Sequence, residues 1–287
     1  MAVYKRTYQP YQGPLTPAWS RFLVIARQAH RRVFDSRFLV FFFVLCFVWP
    51  AVCAALIYLR HNAGAIELFK INVARLIPID GQFFFRFLGW QGSMAFLLTA
   101  FVGPGLISTD LRNNALPLYF CRPFSRAEYV LGKFAVIAML LSLITWVPGL
   151  LLFGFEANLE GGAWFRDNLW LASGIFLGSW IWIVTLCLLA LALSAWVKWK
   201  VLAGALLFGV FFAAAGFGTA VNAVMHTDYG NLINLPQLVR TIWAGLFGVR
   251  STGGIPPDSA WTALAGICAL CLYLLDRKVR AFEVVRS

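Results

Sequence analysis

The sequence predicts an all-helical integral membrane protein with six transmembrane helices, and three observations carry the prediction. The chain has 287 residues, of which 61% are hydrophobic and 13% charged, with a mean hydropathy of +0.76, far from the composition of a soluble domain. Its long charge-free runs approach or exceed the roughly 20 residues a helix needs to cross about 30 Å of hydrocarbon. Lysine and arginine concentrate in alternate connecting segments, the pattern that orients a multi-pass chain.

The spans follow in order. Between Arg37 and Arg60 lie 22 residues without a charge, interrupted by Pro50, which neighbouring helices tolerate in a membrane. The second span runs from about Phe87 to Thr109. Its Gly103-Pro104-Gly105 predicts a kink, because proline removes a ladder hydrogen bond and glycine lowers resistance to bending. Phe134 to Phe155 is the third, with Pro148 near its far end. The fourth and fifth, Leu169 to Val197 and Val201 to Met225, are separated only by Lys198-Trp199-Lys200 and so form a tight helical hairpin. A short sixth, Ser259 to Leu275, is bounded by Asp258 and Asp276.

The net charge of +12 is one-sided. Of 24 lysines and arginines, seven lie at or before Arg37, four between Asp110 and Lys133, two in the 198–200 corner and four in the C-terminal tail. The intervening loops hold the other seven, together with seven of the 12 acidic residues. By the positive-inside rule both termini are cytoplasmic. The excess then serves anionic headgroups and an acidic partner surface, and no nucleic-acid partner is expected. The first span is too long, and too far from the N-terminus, for a cleaved signal peptide. The organisation expected is a cytoplasmic tail with an interfacial helix over 1–37, then a six-span domain over 38–287 that includes a cytoplasmic loop at 110–133 and a cytoplasmic tail at 276–287.

Ahead of the first span, Trp19, Phe22, Leu23, Ala26, Val33 and Phe34 fall mainly on one helical stripe, while Arg21, Arg27, Gln28, Arg31 and Arg32 populate the rest. Thr16 and Pro17 suit its start. A basic amphipathic helix of this kind lies along a leaflet. Packing on a soluble partner is the alternative, since amphipathicity does not name the apolar neighbour. The loop after the second span is the most informative stretch. Leu111, Leu116, Leu118, Tyr119 and Phe120 alternate with polar residues, Pro117 and Pro123 interrupt, and Ser125 caps a helix that runs through Glu128 into the third span.

From Asp110 onward, an acidic residue closing the second span, a short apolar run and then the segment Cys121-Arg-Pro-Phe-Ser-Arg-Ala-Glu-Tyr-Val-Leu-Gly-Lys133 resemble the cytoplasmic signature of ABC-2-type transporter permeases. About thirty residues carry the motif, and the architecture extends the likeness to nearly the whole chain. The resemblance implies a permease subunit in a cell (inner) membrane that pairs with a second copy or a paralogue and exports an amphiphilic or hydrophobic substrate. It implies that cytoplasmic ABC ATPase subunits dock on the 110–128 segment as a coupling helix. ATP and magnesium would be bound by those partners, with no cofactor and no enzymatic activity in this chain. On this reading Asp110 and Arg112 sit at the docking end, Arg122, Pro123 and Arg126 fix the loop, and Glu128 and Lys133 lead back into the bilayer. Trp19, Phe22, Leu23, Arg27 and Arg31 mark the interfacial helix. One departure is Asn113-Asn114-Ala115-Leu116, where many relatives have a Gly-Thr-Leu-like turn. The alternative for these cations is that they satisfy the positive-inside bias and touch headgroups.

On the far side, about Leu238 to Val249 is apolar except for Arg240 and Thr241 and too short to span, so a re-entrant or surface helix packed on the last span is expected. In the 60–86 segment Glu67, Lys70 and Arg75 form at most a helix face. Five of six cysteines lie in apolar spans without adjacent ligands and read as small apolar residues. His30, His61 and His226 read as surface residues. No nucleophile elbow, phosphate loop or zinc helix is present, and the spans as delimited hold no charge, which argues for an external energy source. Gly174 and Gly178, with Gly216 and Ala220, permit close helix approach. Phe41 to Phe43, Phe83 to Phe85, Trp180 and Trp182 are expected mostly in lipid-facing or interfacial belts. A membrane scaffold or assembly factor without solute transport is the competing function.

Overall fold

The structure, a computed structural model, describes residues 20–62, 78–120, 125–251 and 253–280. Among the described residues every regular element is helical, and six helical stretches are long and apolar enough to cross a membrane: Arg37–His61, Gly81–Arg112, Arg126–Glu160, Leu169–Trp196, Lys200–Met225 and Pro257–Val279. The architecture is that of a multi-pass membrane protein. Trp19, Arg122, Pro123 and the helix face of Glu67, Lys70 and Arg75 lie outside the described residues.

Three of the spans are broken helices, and each break follows from proline chemistry. The first comprises α2 (Arg37–Leu45) and α3 (Val48–His61), with Pro50 just past the break. The second comprises α4 (Gly81–Val102) and α5 (Pro104–Arg112), divided at Gly103 where the kink is expected. The third comprises α7 (Arg126–Ile144) and α8 (Trp146–Glu160), divided at Thr145 ahead of Pro148. A proline has no N–H, so Pro50 leaves the carbonyl of Cys46 without its helical donor and Pro148 does the same to Ile144. Both freed carbonyls point at one side chain. Gln91, fully buried on α4, donates from Nε2 to Cys46 O at 3.1 Å and to Ile144 O at 2.5 Å. One amide thus closes two proline gaps in two different spans, as a bilayer interior demands.

The third break is held from the fourth span, α10 (Leu169–Trp196), which follows the short α9 (Gly162–Asp167). Ser194 Oγ accepts from Ile107 N at 3.1 Å and Ser108 N at 3.0 Å and donates to Pro104 O at 2.8 Å, so one hydroxyl fastens the backbone just past the break to α10. Gly103 lets the kink sit against α10, since a Cβ there would stand 2.8 Å from that of Ala190.

α10 is the central helix and packs on α4, α5, α7 and α8, on the last span α13 (Pro257–Arg280) and on the outer helix α12 (Leu235–Leu246). The fifth span, α11 (Lys200–Met225), is peripheral and exposes Phe212 and Phe217, and α13 exposes Leu270 and Tyr273, surfaces suited to lipid or to another subunit. α12 starts on Asn234, whose side chain accepts from Gln237 N, and packs on the last span as expected. The fourth and fifth spans form the expected tight hairpin, with α11 opening at Lys200.

The aromatic expectation fails in part. Phe83, Phe84, Phe85 and Trp182 are buried in protein, while Phe41 is exposed as expected. Trp182 Nε1 donates to Gly92 O on α4 and Trp243 Nε1 to Gly178 O on α10, both at 2.9 Å, so two indoles lie across helices that carry no side chain at the crossing. The small-residue seam is therefore internal at Gly174 and Gly178. Gly216 meets nothing within 4 Å. At Gly178 a Cβ would stand 3.0 Å from Leu88 and 3.1 Å from the Trp243 ring. Gly178→Val is expected to destabilise by about 1–3 kcal/mol through overpacking, whereas Gly216→Val is not. Thermal unfolding of the two variants in the same detergent checks this.

Candidate functional site

At the end of the bundle where the basic residues gather, α5 runs out through Asp110 and Arg112 into a turn. Asn114 adopts the left-handed conformation at φ 49°, which asparagine tolerates, and Ala115 N closes the helix end by donating to Asp110 O at 2.9 Å. The Asn113-Asn114 pair thus supplies a tight turn of its own. α6 (Leu116–Phe120) follows, anchored by buried Leu116 and by Tyr119, whose ring lies 5.4 Å from that of Tyr129. α7 then opens on a capping box: Glu128 N donates to Ser125 Oγ at 3.2 Å, and Ser125 N donates to Glu128 Oε2 at 2.6 Å.

Of the residues singled out from sequence, Asp110 and Lys133 are brought together most tightly. Lys133 Nζ stands 2.7 Å from Asp110 Oδ2, and Tyr129 donates its hydroxyl to the same oxygen at 2.8 Å. Tyr129 is completely buried, both charges are nearly so, and the ammonium also sits 5.4 Å from the centre of the Tyr129 ring. This lock ties the end of the second span to the first turns of the third. Arg112 is exposed, and Arg126 and Glu128 are half-buried. The exposed part of this end is therefore Arg112 and the turn rather than the Asp110 carboxylate.

The amphipathic helix α1 (Arg21–Phe34) packs on α7. Gly132 makes room for it, because a Cβ there would stand 2.9 Å from Phe22 O and 3.1 Å from Ile25 Cβ. Its apolar stripe divides: Ile25, Ala26, Ala29 and Val33 join the core, while Leu23 and Phe34 face outward, and Arg27 and Arg31 are exposed. The chain itself supplies one apolar neighbour, and the exposed apolar residues leave another face for a leaflet.

A second polar cluster lies at the opposite end, where the sequence reading expects spans without charge and a surface His61. The third span continues to Glu160, and Glu156 within it is fully buried. His61 Nε2 lies 3.1 Å from Glu156 Oε2, Arg60 Nη1 is 3.9 Å from Glu156 Oε1, and Arg60 Nη2 is 3.4 Å from Glu160 Oε1. The run of apolar residues before Phe155 conceals this, since the partners are in different spans. Donor atoms of His61, Glu156 and Glu160 all fall within 4.8 Å of one another, a set that suits a divalent cation. Arg60 already offsets the two carboxylates there.

The described cysteines, Cys46, Cys53, Cys187, Cys268 and Cys271, are free thiols, as small packed residues. Tyr129, Gln91, Ser194 and Glu156 escape sequence reasoning because each acts through a partner distant in the chain. Comparison with models of known protein families and with curated proteins finds no match to this chain.

Proposed function

We propose that this chain is the membrane-spanning permease subunit of an ATP-driven transporter of the ABC-2 type. It moves an amphiphilic or hydrophobic substrate outward and borrows its energy from separate cytoplasmic ATPase subunits. Both termini lie in the cytoplasm of a cell (inner) membrane, and a second copy or a paralogue completes the pathway.

The observation that carries this reading is the single packed unit at the basic end. The 110–128 segment is bounded by a buried Asp110–Lys133 pair, and α1 rests on α7 at Gly132, one residue from that lysine. A force applied to the turn at Asn113-Asn114 is delivered at once to the second span, the third span and the interfacial helix. ATP-driven closure of two ATPases beneath this end would shift the span packing between two discrete arrangements. The breaks at Gly103 and Thr145 divide those two spans into segments that can reorient.

The test reverses charge where contact is expected. In the tagged chain, Arg112→Glu with Arg122→Glu is expected to abolish copurification of an ATPase from the source membrane and vanadate-sensitive transport, with insertion unchanged. Docking contacts that are desolvated, unlike exposed pairs, are strong enough to give so large an effect. Full transport by the purified chain alone would overturn the proposal.

A further inference from the structure

A cavity of about 630 Å³ opens between α4, α10, α11 and α12, within the roughly 300–1,000 Å³ of small-molecule sites. Trp90, Phe96, Trp182, Phe208, Phe211 and Phe212 are among the aromatic residues that make up half of its lining. Phe96 stacks on Phe211 with ring centres 4.1 Å apart, and Trp182 and Trp243 are fixed by their bonds to glycine carbonyls, so the wall is preformed.

Charge enters this wall at two positions, Arg86 and Arg240, and both are cations. Each is exposed, and among the described residues neither lies within 4 Å of a carboxylate. The Arg240 guanidinium stands 5.7 Å from the centre of the Phe85 ring, held over an aromatic face rather than in an ion pair. Arg86 lies six positions after the N-cap Asp80, and Arg240 lies on the outer helix, so both cations mark the end of the bundle away from the basic face. From Phe85 to Leu97 the lining of α4 extends about 18 Å at 1.5 Å per residue. That is comparable to one leaflet of a hydrocarbon core about 30 Å thick.

Two exposed cations without carboxylate partners at the edge of an apolar slot keep their donors open to an anion, which they would hold by charge-assisted hydrogen bonds. An uncharged apolar ligand would leave them unmatched, and a wholly polar anion would leave the aromatic wall unfilled. We infer that the cavity binds an amphiphile with an anionic head, held by Arg86 and Arg240, and a single apolar tail laid along the aromatic slot of one leaflet's depth. As a substrate class this assignment rests on the permease reading, but the binding itself needs no ATPase.

The test is binding of a dibromo fatty acid to the purified full chain in neutral detergent, read by quenching of tryptophan fluorescence, because Trp90, Trp182 and Trp243 line the site. Saturable quenching is expected with the free acid, with the methyl ester at least tenfold weaker. Arg86→Gln with Arg240→Gln is expected to weaken the acid at least tenfold, while Arg86→Lys with Arg240→Lys retains binding and Arg166→Gln changes nothing. Equal quenching by acid and ester, or unchanged affinity in the glutamine variant, would overturn the inference. So would saturable quenching by brominated phosphatidylglycerol but not by the acid, which would make the slot a bilayer-lipid site. Because ATPase copurification is scored separately with the charge-reversed coupling turn, loss of either result leaves the other standing.

Discussion

Gln91→Met is expected to destabilise the bundle by about 2–6 kcal/mol, since it strands two buried carbonyls at about 1–3 kcal/mol each while nearly conserving volume. The side chain bonds through its amide nitrogen, which donates to Cys46 O and Ile144 O, whereas its Oε1 accepts no hydrogen bond. The expected readout is a lowered midpoint in denaturing-detergent unfolding. Pro50→Ala and Pro148→Ala added to the same variant should recover part of the loss, because each restores an N–H that can reach the carbonyl four residues earlier. A Gln91→Met protein as stable as the parent would show that the two carbonyls do not need this donor.

Lys133→Met is expected to cost about 3–5 kcal/mol, the usual consequence of leaving one charge of a buried pair without its partner. Asp110 would keep only the Tyr129 hydroxyl among its described side-chain partners. Replacing the whole lock with Asp110→Leu, Tyr129→Phe and Lys133→Met should return most of the stability, since apolar residues of similar size substitute for a buried pair at little net cost. On the permease reading the triple variant inserts and folds but couples poorly, so stability and vanadate-sensitive transport separate. Equal stability of the single and triple variants would remove the pair from any account of how the second and third spans are joined.

Much of the secondary structure was legible because its signals are local. Charge-free length delimits a span, Gly103-Pro104 announces a break, and Ser125 three residues before Glu128 announces a capped start. Each needs only a few neighbours in the chain. What packs against what was not legible, because hydropathy reports depth in the bilayer and lipid is as apolar as a protein core. Phe84 and Phe41 look alike in sequence, yet the first is wholly buried and the second is exposed. The same reason hid Glu156: the third span outlasts its apolar stretch, and His61, 95 residues earlier, completes the pair. At the basic end the residues were visible but their arrangement was not. Asp110 reads as part of a docking end and Lys133 as leading back into the bilayer, although a single ion pair buries both.

The glutamine clamp also bears on how the chain is made. Translation delivers the first span before the second, so Pro50 enters the membrane with the Cys46 carbonyl bare, and the donor arrives only once residue 91 has been synthesised. The second acceptor, Ile144, comes later still. The clamp can therefore be completed only when all three N-terminal passes have been made, and a chain released before the third would leave Gln91 Nε2 with one of its two carbonyl partners missing.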